Sequence, residues 1–295
     1  MSRARAAARV RVHRYGRDDG PARSVDDRVA GEEPLELRYR DGDAWAPLVV
    51  TMRTPGADFE LAAGFLLAEG IVRERRDLRG MAYCVDVDEE QHYNVVNVAL
   101  GPAARLPAAH EVRRFAATSA CGVCGKGQLE ALSMALCAPV SPIAPVHASL
   151  IASLPERMRE HQGLFDRTGG LHAAALFDRE GVLLGVREDV GRHNALDKVL
   201  GWAFLEGLIP LRGALVCVSG RASFELVQKC VVAGVGVLAA VSAPSSLAVT
   251  TAARFGVTLA GFVRDGGCTV YAGAAGVVDD LGAHPEHRTD AAHTT

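Results

Sequence analysis

Hydrophobic and polar positions along the 295-residue chain fall into three regimes. Residues 1–30 carry no periodicity and are expected to be a disordered, arginine-rich leader. Order is expected from near Glu32. Alternation predicts strands at Leu35–Tyr39 and Pro47–Met52 around the turn Asp41-Gly42-Asp43. The pattern of Asp58–Ile71, DFELAAGFLLAEGI, predicts an amphipathic helix with Asp58 as its N-cap. Met81–Val87 and Tyr93–Leu100 read as a second hairpin, and the Pro- and Ala-rich stretch Gly101–Ala109 reads as a linker. Residues 31–110 therefore form an α+β unit in this reading.

From residue 111 to 280 the pattern is more regular. Helices are predicted at Gln128–Leu136, Leu150–Glu160, Asn194–Glu206, Ser223–Ala233 and Ser246–Phe255. Strands are predicted at Leu171–Phe177, Val182–Glu188, Ala214–Val218, Val237–Val241, Val257–Val263 and Thr269–Ala272. Single helices between strands imply parallel crossovers, hence a layered α/β sheet. Residues 281–295 read as a disordered tail.

Composition narrows the function classes. Nearly half of the residues are apolar (49%) and the formal net charge is −3, so nucleic-acid binding over the whole surface is disfavoured. The longest apolar run, Cys230–Ala243 apart from Ser242 and two glycines, stops at Pro244, short of the ~20 residues a membrane span needs. The first 17 residues contain no apolar signal core; a transit peptide would share their lack of acids, but Asp18 and Asp19 follow at once. A cytoplasmic protein with no membrane and no nucleic-acid partner is expected. The seven cysteines are an odd number, which argues against a disulfide framework. Cys84, Cys137, Cys217 and Cys230 sit in apolar contexts and read as buried hydrophobes.

Cys121 and Cys124 alone are spaced like chemistry. They lie in Ser119-Ala120-Cys121-Gly122-Val123-Cys124-Gly125-Lys126-Gly127, just before a predicted helix. A helix start and a nearby lysine favour thiolate over thiol, and the glycines admit backbone amides and a mobile loop. The competing reading is a zinc half-site. A structural zinc wants four ligands, no second CxxC exists, and only His172 and His193 offer themselves as further ligands, so no metal is expected. Zinc deaminases also place a CxxC at a helix start, but they need an upstream H-x-E and a P-C-x-x-C; here Ala120 replaces the proline and no such H-x-E precedes the cysteines.

Two further groups draw attention. In Arg187-Glu188-Asp189-Val190-Gly191-Arg192-His193-Asn194-Ala195-Leu196-Asp197-Lys198, a strand end runs through glycine into a helix, where open α/β sheets bind ligands. A solvated loop with a helix cap explains Asp189 and Asn194 equally well, and His193 alone reads as a surface histidine. The second group is three strand-to-loop junctions: Ser219–Ser223, Ser242–Ser246 and Arg264–Gly267. Helix starts with small residues and arginine accept phosphate, so Gly220, Arg221, Ser245 and Ser246 are candidate phosphate contacts. None has P-loop or Rossmann spacing.

Together these segments resemble the FdhD family of formate dehydrogenase accessory sulfurtransferases. The resemblance is carried by Glu32-Glu33-Pro34-Leu35-Glu36-Leu37, Met52-Arg53-Thr54-Pro55-Gly56, Leu61–Gly70, the CGVCG loop, Thr168–Ala174, the EDVGRHNALDK segment and Val218-Ser219-Gly220-Arg221. It spans residues 30 to 275 and departs only in the 264–267 loop. It implies a cytidine-deaminase-like α/β core with a smaller N-terminal α+β domain. It further implies a sulfur carrier that takes sulfur from a cysteine desulfurase as a persulfide on Cys121 and Cys124. The sulfur would pass to the molybdenum (or tungsten) bis-guanine-dinucleotide cofactor before insertion into formate dehydrogenase. The family's cofactor segment falls on Phe262, Val263, Arg264, Asp265, Gly266 and Gly267, and the resemblance implies a homodimer. A CxxC thiol-disulfide oxidoreductase or redox sensor is the rival reading from another class, and a scaffold without covalent chemistry is a third.

Overall fold

The computed structural model describes residues 5–16, 22–41, 43–88, 92–105, 138–141 and 144–279. The linker expected after Arg105, the helix expected at Gln128–Leu136 and the tail from residue 281 lie outside the described residues. So does a domain boundary near residue 110.

The N-terminal region carries β1 (Ala7–Arg14), β2 (Arg23–Ala30), β3 (Glu33–Asp41), β4 (Ala44–Arg53), α1 (Asp58–Ala68), β5 (Leu78–Tyr83) and β6 (Val95–Leu100). Strands β1 and β2 pair antiparallel from Ala7↔Ala30 to Arg14↔Arg23, which corrects the expectation of a disordered leader for these residues. Their alternation is thin: Val10, Val12 and Val25 stand among arginines and aspartates, so the apolar period is weak. Cross-strand ion pairs, Arg11 with Asp26 and Arg14 with Asp27, supply some of the pairing instead.

Strands β3 to β6 form one sheet in the order β4-β3-β6-β5. Leu35, Leu37, Val96 and Val98 of that sheet pack in one apolar cluster with Leu61, Leu66 and Leu67 of α1. Asp58 does not cap this helix. The N-cap is Ala57, in the left-handed region with φ +55°, and the Asp58 carboxylate is turned into the interior to meet Arg53.

The C-terminal region carries β7 (Val146–His147), α2 (Ala148–Arg159), α3 (Gly163–Thr168), β8 (His172–Phe177), β9 (Leu183–Asp189), α4 (Arg192–Leu205), β10 (Leu215–Val218), α5 (Phe224–Ala233), β11 (Val237–Ala240), α6 (Ser246–Phe255), β12 (Thr258–Arg264), β13 (Gly267–Ala272) and β14 (Val277–Val278). Six of the strands form a sheet in the order β13-β12-β11-β10-β8-β9. Within it β9, β10, β11 and β12 share one direction, with β8 inserted antiparallel between β9 and β10, and β13 antiparallel to β12. The parallel crossovers expected through single helices hold for β9–α4–β10, β10–α5–β11 and β11–α6–β12, whereas the β8–β9 and β12–β13 pairs are antiparallel. The connection from β9 through α4 skips over β8 to reach β10.

Both faces of the central strands are buried, as their unbroken apolar runs require. Val216, Val218, Leu238 and Leu259 face the cluster built with α4, α5 and α6, whereas Leu215, Cys217, Val237 and Ala260 face Ile151, Leu154 and Met158 of α2. The result is a layered α/β fold.

The two regions share a core. Helix α1 lies against α4 so closely that a Cβ on Gly64 would sit 1.9 Å from the Asp197 carbonyl oxygen, and one on Gly201 would sit 1.8 Å from that of Glu60. Only glycine permits this backbone contact. Among the described residues, no helix is long and apolar enough to cross a membrane.

Candidate functional site

Because β8 runs against β10, its first residue, His172, lies at the same edge of the sheet as the carboxyl ends of β9 and β10; His172 pairs with Asp189 and Ala174 with Val218. The carboxyl end of a parallel sheet at a change of strand order is where ligands bind in open α/β folds.

The three junctions singled out in the sequence meet there. The Ser219 amide donates to the Ala173 carbonyl, and the Ser219 hydroxyl accepts from the Ala173 amide. The Ser242 amide donates to the Gly220 carbonyl, the Ser245 amide to that of Ala222, and the Phe262 amide to that of Ser242. Gly261 is pinched between Pro244 and Tyr271, where a Cβ would sit 2.9 Å from each. The loops after β10, β11 and β12 thus lie side by side along one rim.

The 262–267 turn carries its conformation in the backbone: Phe262 and Asp265 are left-handed, with φ +49° and +53°. A non-glycine residue there is uncommon and holds only where its surroundings fix it. Phe262 is partly exposed, with the Arg264 guanidinium 5.8 Å from its ring centroid. Val263 is buried and its side chain belongs to the core. Arg264, Asp265, Gly266 and Gly267 are exposed on the turn.

The helix starts differ. At α6 the Ser245 hydroxyl accepts from the Ala248 amide, so that end has its own cap, and Ser246 is exposed. At α4 the N-cap is Gly191, and at α5 the N-cap Ser223 makes no capping bond. Ser223 instead places its hydroxyl 3.3 Å from His193 Nε2, which lies 2.8 Å from the Glu225 carboxylate.

The charged EDVGRHNALDK segment divides into two roles. Most of it holds the fold. The Glu188 carboxylate accepts from the Leu164 and Phe165 amides at the start of α3. Asp189 is fully buried, sits 2.7 Å from Lys198 Nζ, and accepts from the Thr54 and Gly191 amides. Lys198 also donates to the Thr54 carbonyl, and Asn194 donates to that of Met52. Asp197 pairs with Lys229 at 2.7 Å; burial pushes its carboxyl pKa up and the lysine pulls it back. Arg53 holds Asp58 with two hydrogen bonds, at 3.0 and 3.1 Å.

Arg192 opens α4, and its buried Nε has no hydrogen-bond partner among the described residues. Burial together with the nearby Arg192 and His193 lowers the pKa of His172 below its ordinary 6.5, so the ring is predominantly neutral at pH 7. Among the described residues no cluster of three or more His, Cys, Asp or Glu side chains is placed to hold a metal ion.

Of the sequence candidates, Cys121, Cys124 and Cys137 lie outside the described residues. Cys84, Cys217 and Cys230 are buried and Cys268 is partly buried, all as free thiols. Burial pushes the Cys230 thiol up to about 12 and raises that of Cys217 further, so neither supplies thiolate at neutral pH.

A mixed α/β sheet with a loop-built rim at its carboxyl edge defines the class of fold. The comparisons then give the family: the FdhD/NarQ family profile matches residues 30–278, and the chain belongs to that family. A sulfur carrier protein FdhD from Streptomyces coelicolor is 52% identical over 260 residues, covering 87% of this chain and 91% of that protein. One from Mycobacterium tuberculosis is 51% identical over 249 residues, covering 82% and 89%. A crystal structure from Desulfotalea psychrophila, of a protein assigned as a formate dehydrogenase accessory protein, superposes with a TM-score of 0.73. It covers 92% of this chain and 100% of that one at 23% identity, a likeness of fold.

Proposed function

We propose that this protein is a sulfur carrier serving formate dehydrogenase. The observation that carries this reading is its membership of the FdhD/NarQ family together with the CGVCG loop, at about half identity to relatives named as sulfur carriers. In the proposed reaction the Cys121 thiolate attacks the terminal sulfur of a cysteine desulfurase persulfide. The donor S–S bond breaks, the desulfurase cysteine leaves as thiolate, and Cys121 is left as a persulfide, with Cys124 assisting. The client that receives the sulfur is the molybdenum or tungsten bis-guanine-dinucleotide cofactor, bound as substrate. Its phosphates would meet Gly220, Arg221, Ser245 and Ser246, and its nucleoside the Phe262–Gly267 turn. The contiguity of those loops on one rim supports this placement.

The test is mass spectrometry of the protein after incubation with a cysteine desulfurase and cysteine. The peptide carrying Cys121 and Cys124 is expected to gain one sulfur, about 32 Da, removable by reductant. Cys121→Ala is expected to lose the adduct and to fail in restoring formate dehydrogenase activity while remaining folded. No adduct on either cysteine, with the dehydrogenase still activated, would leave only the scaffold reading.

A further inference from the structure

The β1–β2 hairpin carries charge that the fold leaves unmatched. Arg9 stands directly opposite Arg28 in the ladder, and like charges facing each other across a strand pair weaken it. The two nearby acids do not relieve them, because each has its own partner: Asp26 pairs with Arg11 at 3.3 Å and Asp27 with Arg14 at 3.2 Å. Asp27 also accepts from the Arg28 amide; that bond, with the Arg14 guanidinium, holds its carboxyl below the usual carboxylate range.

A third arginine joins them from another element. Helix α3 packs against β2, and its last turn presents Arg167, whose Nε donates to the Gly163 carbonyl at 3.0 Å. Arg9, Arg28 and Arg167 line one open cleft of about 350 Å³ together with Asp26 and Asp27. All three arginines are exposed, and among the described residues no carboxylate pairs with any of them. All of the hairpin but Ala30 precedes the residues matched by the family profile, so the chemistry of the rim does not account for it.

The edge beside the cleft is open as well. Strand β1 pairs with β2 alone, so among the described residues its other edge keeps unpaired amide and carbonyl groups. An extended chain laid along such an edge gains main-chain hydrogen bonds, and its alternate side chains fall on one face about 6–7 Å apart. Arg9 and Arg11 have that spacing on β1, on the same face as Arg28. Charge on an edge strand also guards against aggregation, but the Arg11–Asp26 pair already supplies it, and the facing Arg9 and Arg28 add only repulsion. A compact phosphate suits the cleft poorly, because it would lie beside two carboxylates. An extended segment can space its acids to meet the guanidinium forks and pass Asp26 and Asp27 by.

We propose that the β1 edge, with Arg9, Arg28 and Arg167, docks an extended acidic segment of a partner protein, one with carboxylates at alternate positions. The identity of the partner rests on the proposed sulfur carriage, which brings a donor and a client protein alongside; the docking chemistry stands on the hairpin itself.

Fluorescence anisotropy of the full chain with a short labelled peptide of alternating glutamate and threonine tests it. Wild type is expected to bind this peptide at low ionic strength, to release it as salt is added, and to ignore the lysine–threonine counterpart. The double variant Arg9→Gln, Arg28→Gln is expected to bind roughly tenfold or more weakly. Arg79→Gln, which removes one exposed charge from β5 in the other sheet, is expected to bind as wild type does. Arg9→Gln alone is expected to bind more weakly yet melt at or above wild type, because it relieves the like-charge pair; this separates docking from folding if the double variant does not fold. Hydrogen exchange of the β1 amides is expected to slow when the peptide is bound.

No binding by wild type, or wild-type affinity in the folded Arg9 variants, would overturn the docking site. Equal or tighter binding of polyuridylate or of phosphatidylserine vesicles would overturn the acidic segment as its occupant, and unprotected β1 amides in the complex would overturn the strand addition. A chain that binds the peptide but takes up no sulfur from a desulfurase would strike the proposed function and leave the docking site standing; the converse would strike the docking site alone.

Discussion

Asp189 Oδ2 lies 2.7 Å from Lys198 Nζ, with both side chains almost sealed from solvent, and both groups also bind the backbone of Thr54. An ionised pair in such a place is tolerated because its remaining donors and acceptors are met. Lys198→Met is expected to cost about 3–5 kcal/mol, since it leaves Asp189 buried and unpaired. Chemical denaturation of the two proteins side by side measures this, and a loss under about 1 kcal/mol would show that water reaches the carboxylate.

Gly201→Ala is expected to destabilise by more than an ordinary glycine replacement in a helix gains. Alanine is the better helix former by roughly 1 kcal/mol, but its Cβ would drive into the Glu60 carbonyl of α1. The neighbour is backbone and cannot swing aside, so α1 and α4 must separate, with an overpacking cost of about 1–3 kcal/mol or more. A melting temperature at or above wild type would refute it.

Cys217→Ser and Cys230→Ser are expected to lower the melting temperature, at a cost of roughly 1–3 kcal/mol each for a buried hydroxyl without a partner, and to leave sulfur transfer unchanged. Both thiols are inaccessible and protonated. Labelling of either by iodoacetamide in the folded protein at neutral pH would contradict this. Protein purified without added metal is expected to hold no stoichiometric zinc; zinc lost together with the fold on chelation would overturn that.

His172 predicts a pH response of known sign. Its folded pKa lies below 6.5, so below pH 6.5 the unfolded chain binds more protons than the folded one. The contribution of this group is therefore complete above about pH 6.5 and is lost as pH falls through the folded value. Denaturation midpoints of His172→Gln relative to wild type should converge on acidification across that window. A difference independent of pH between about 7 and 5 would exclude the shift.

Much of the architecture was legible in the sequence, and the failures share a cause. The hairpin β8–β9 shows in its own residues, because Asp178–Gly181 is a strong turn between apolar runs. The central strands show as short apolar runs, while the capping of α6 by Ser245, offered in the sequence as a phosphate contact, shows only in the structure. Asp58 was misread because its position favours a local cap, whereas Arg53 at the end of β4, held against the Asn94 side chain and the Tyr93 carbonyl just before β6, claims it. The insertion of β8 between β9 and β10 is decided by pairing across the sheet, which no local pattern encodes. In the charged segment, which the sequence offered as a ligand site, Glu188, Asp189, Asp197 and Lys198 are all matched within the fold. Their partners, such as Thr54 and Lys229, lie far along the chain, which no local pattern reveals.

The threading of Thr54 between Asp189 and Lys198 has a mechanical consequence. Its carbonyl, amide and hydroxyl are all engaged, by Lys198, Asp189 and the Val190 amide respectively. Swinging the β3–β6 sheet away from the central one would strip partners from a sealed ion pair and pull apart a pair of helices that touch at glycine. Such an opening costs far more than thermal agitation supplies, so these two sheets behave as a single anvil. Any stroke that carries an atom from a donor to the rim must therefore come from loops outside this joint or from the arriving partners themselves.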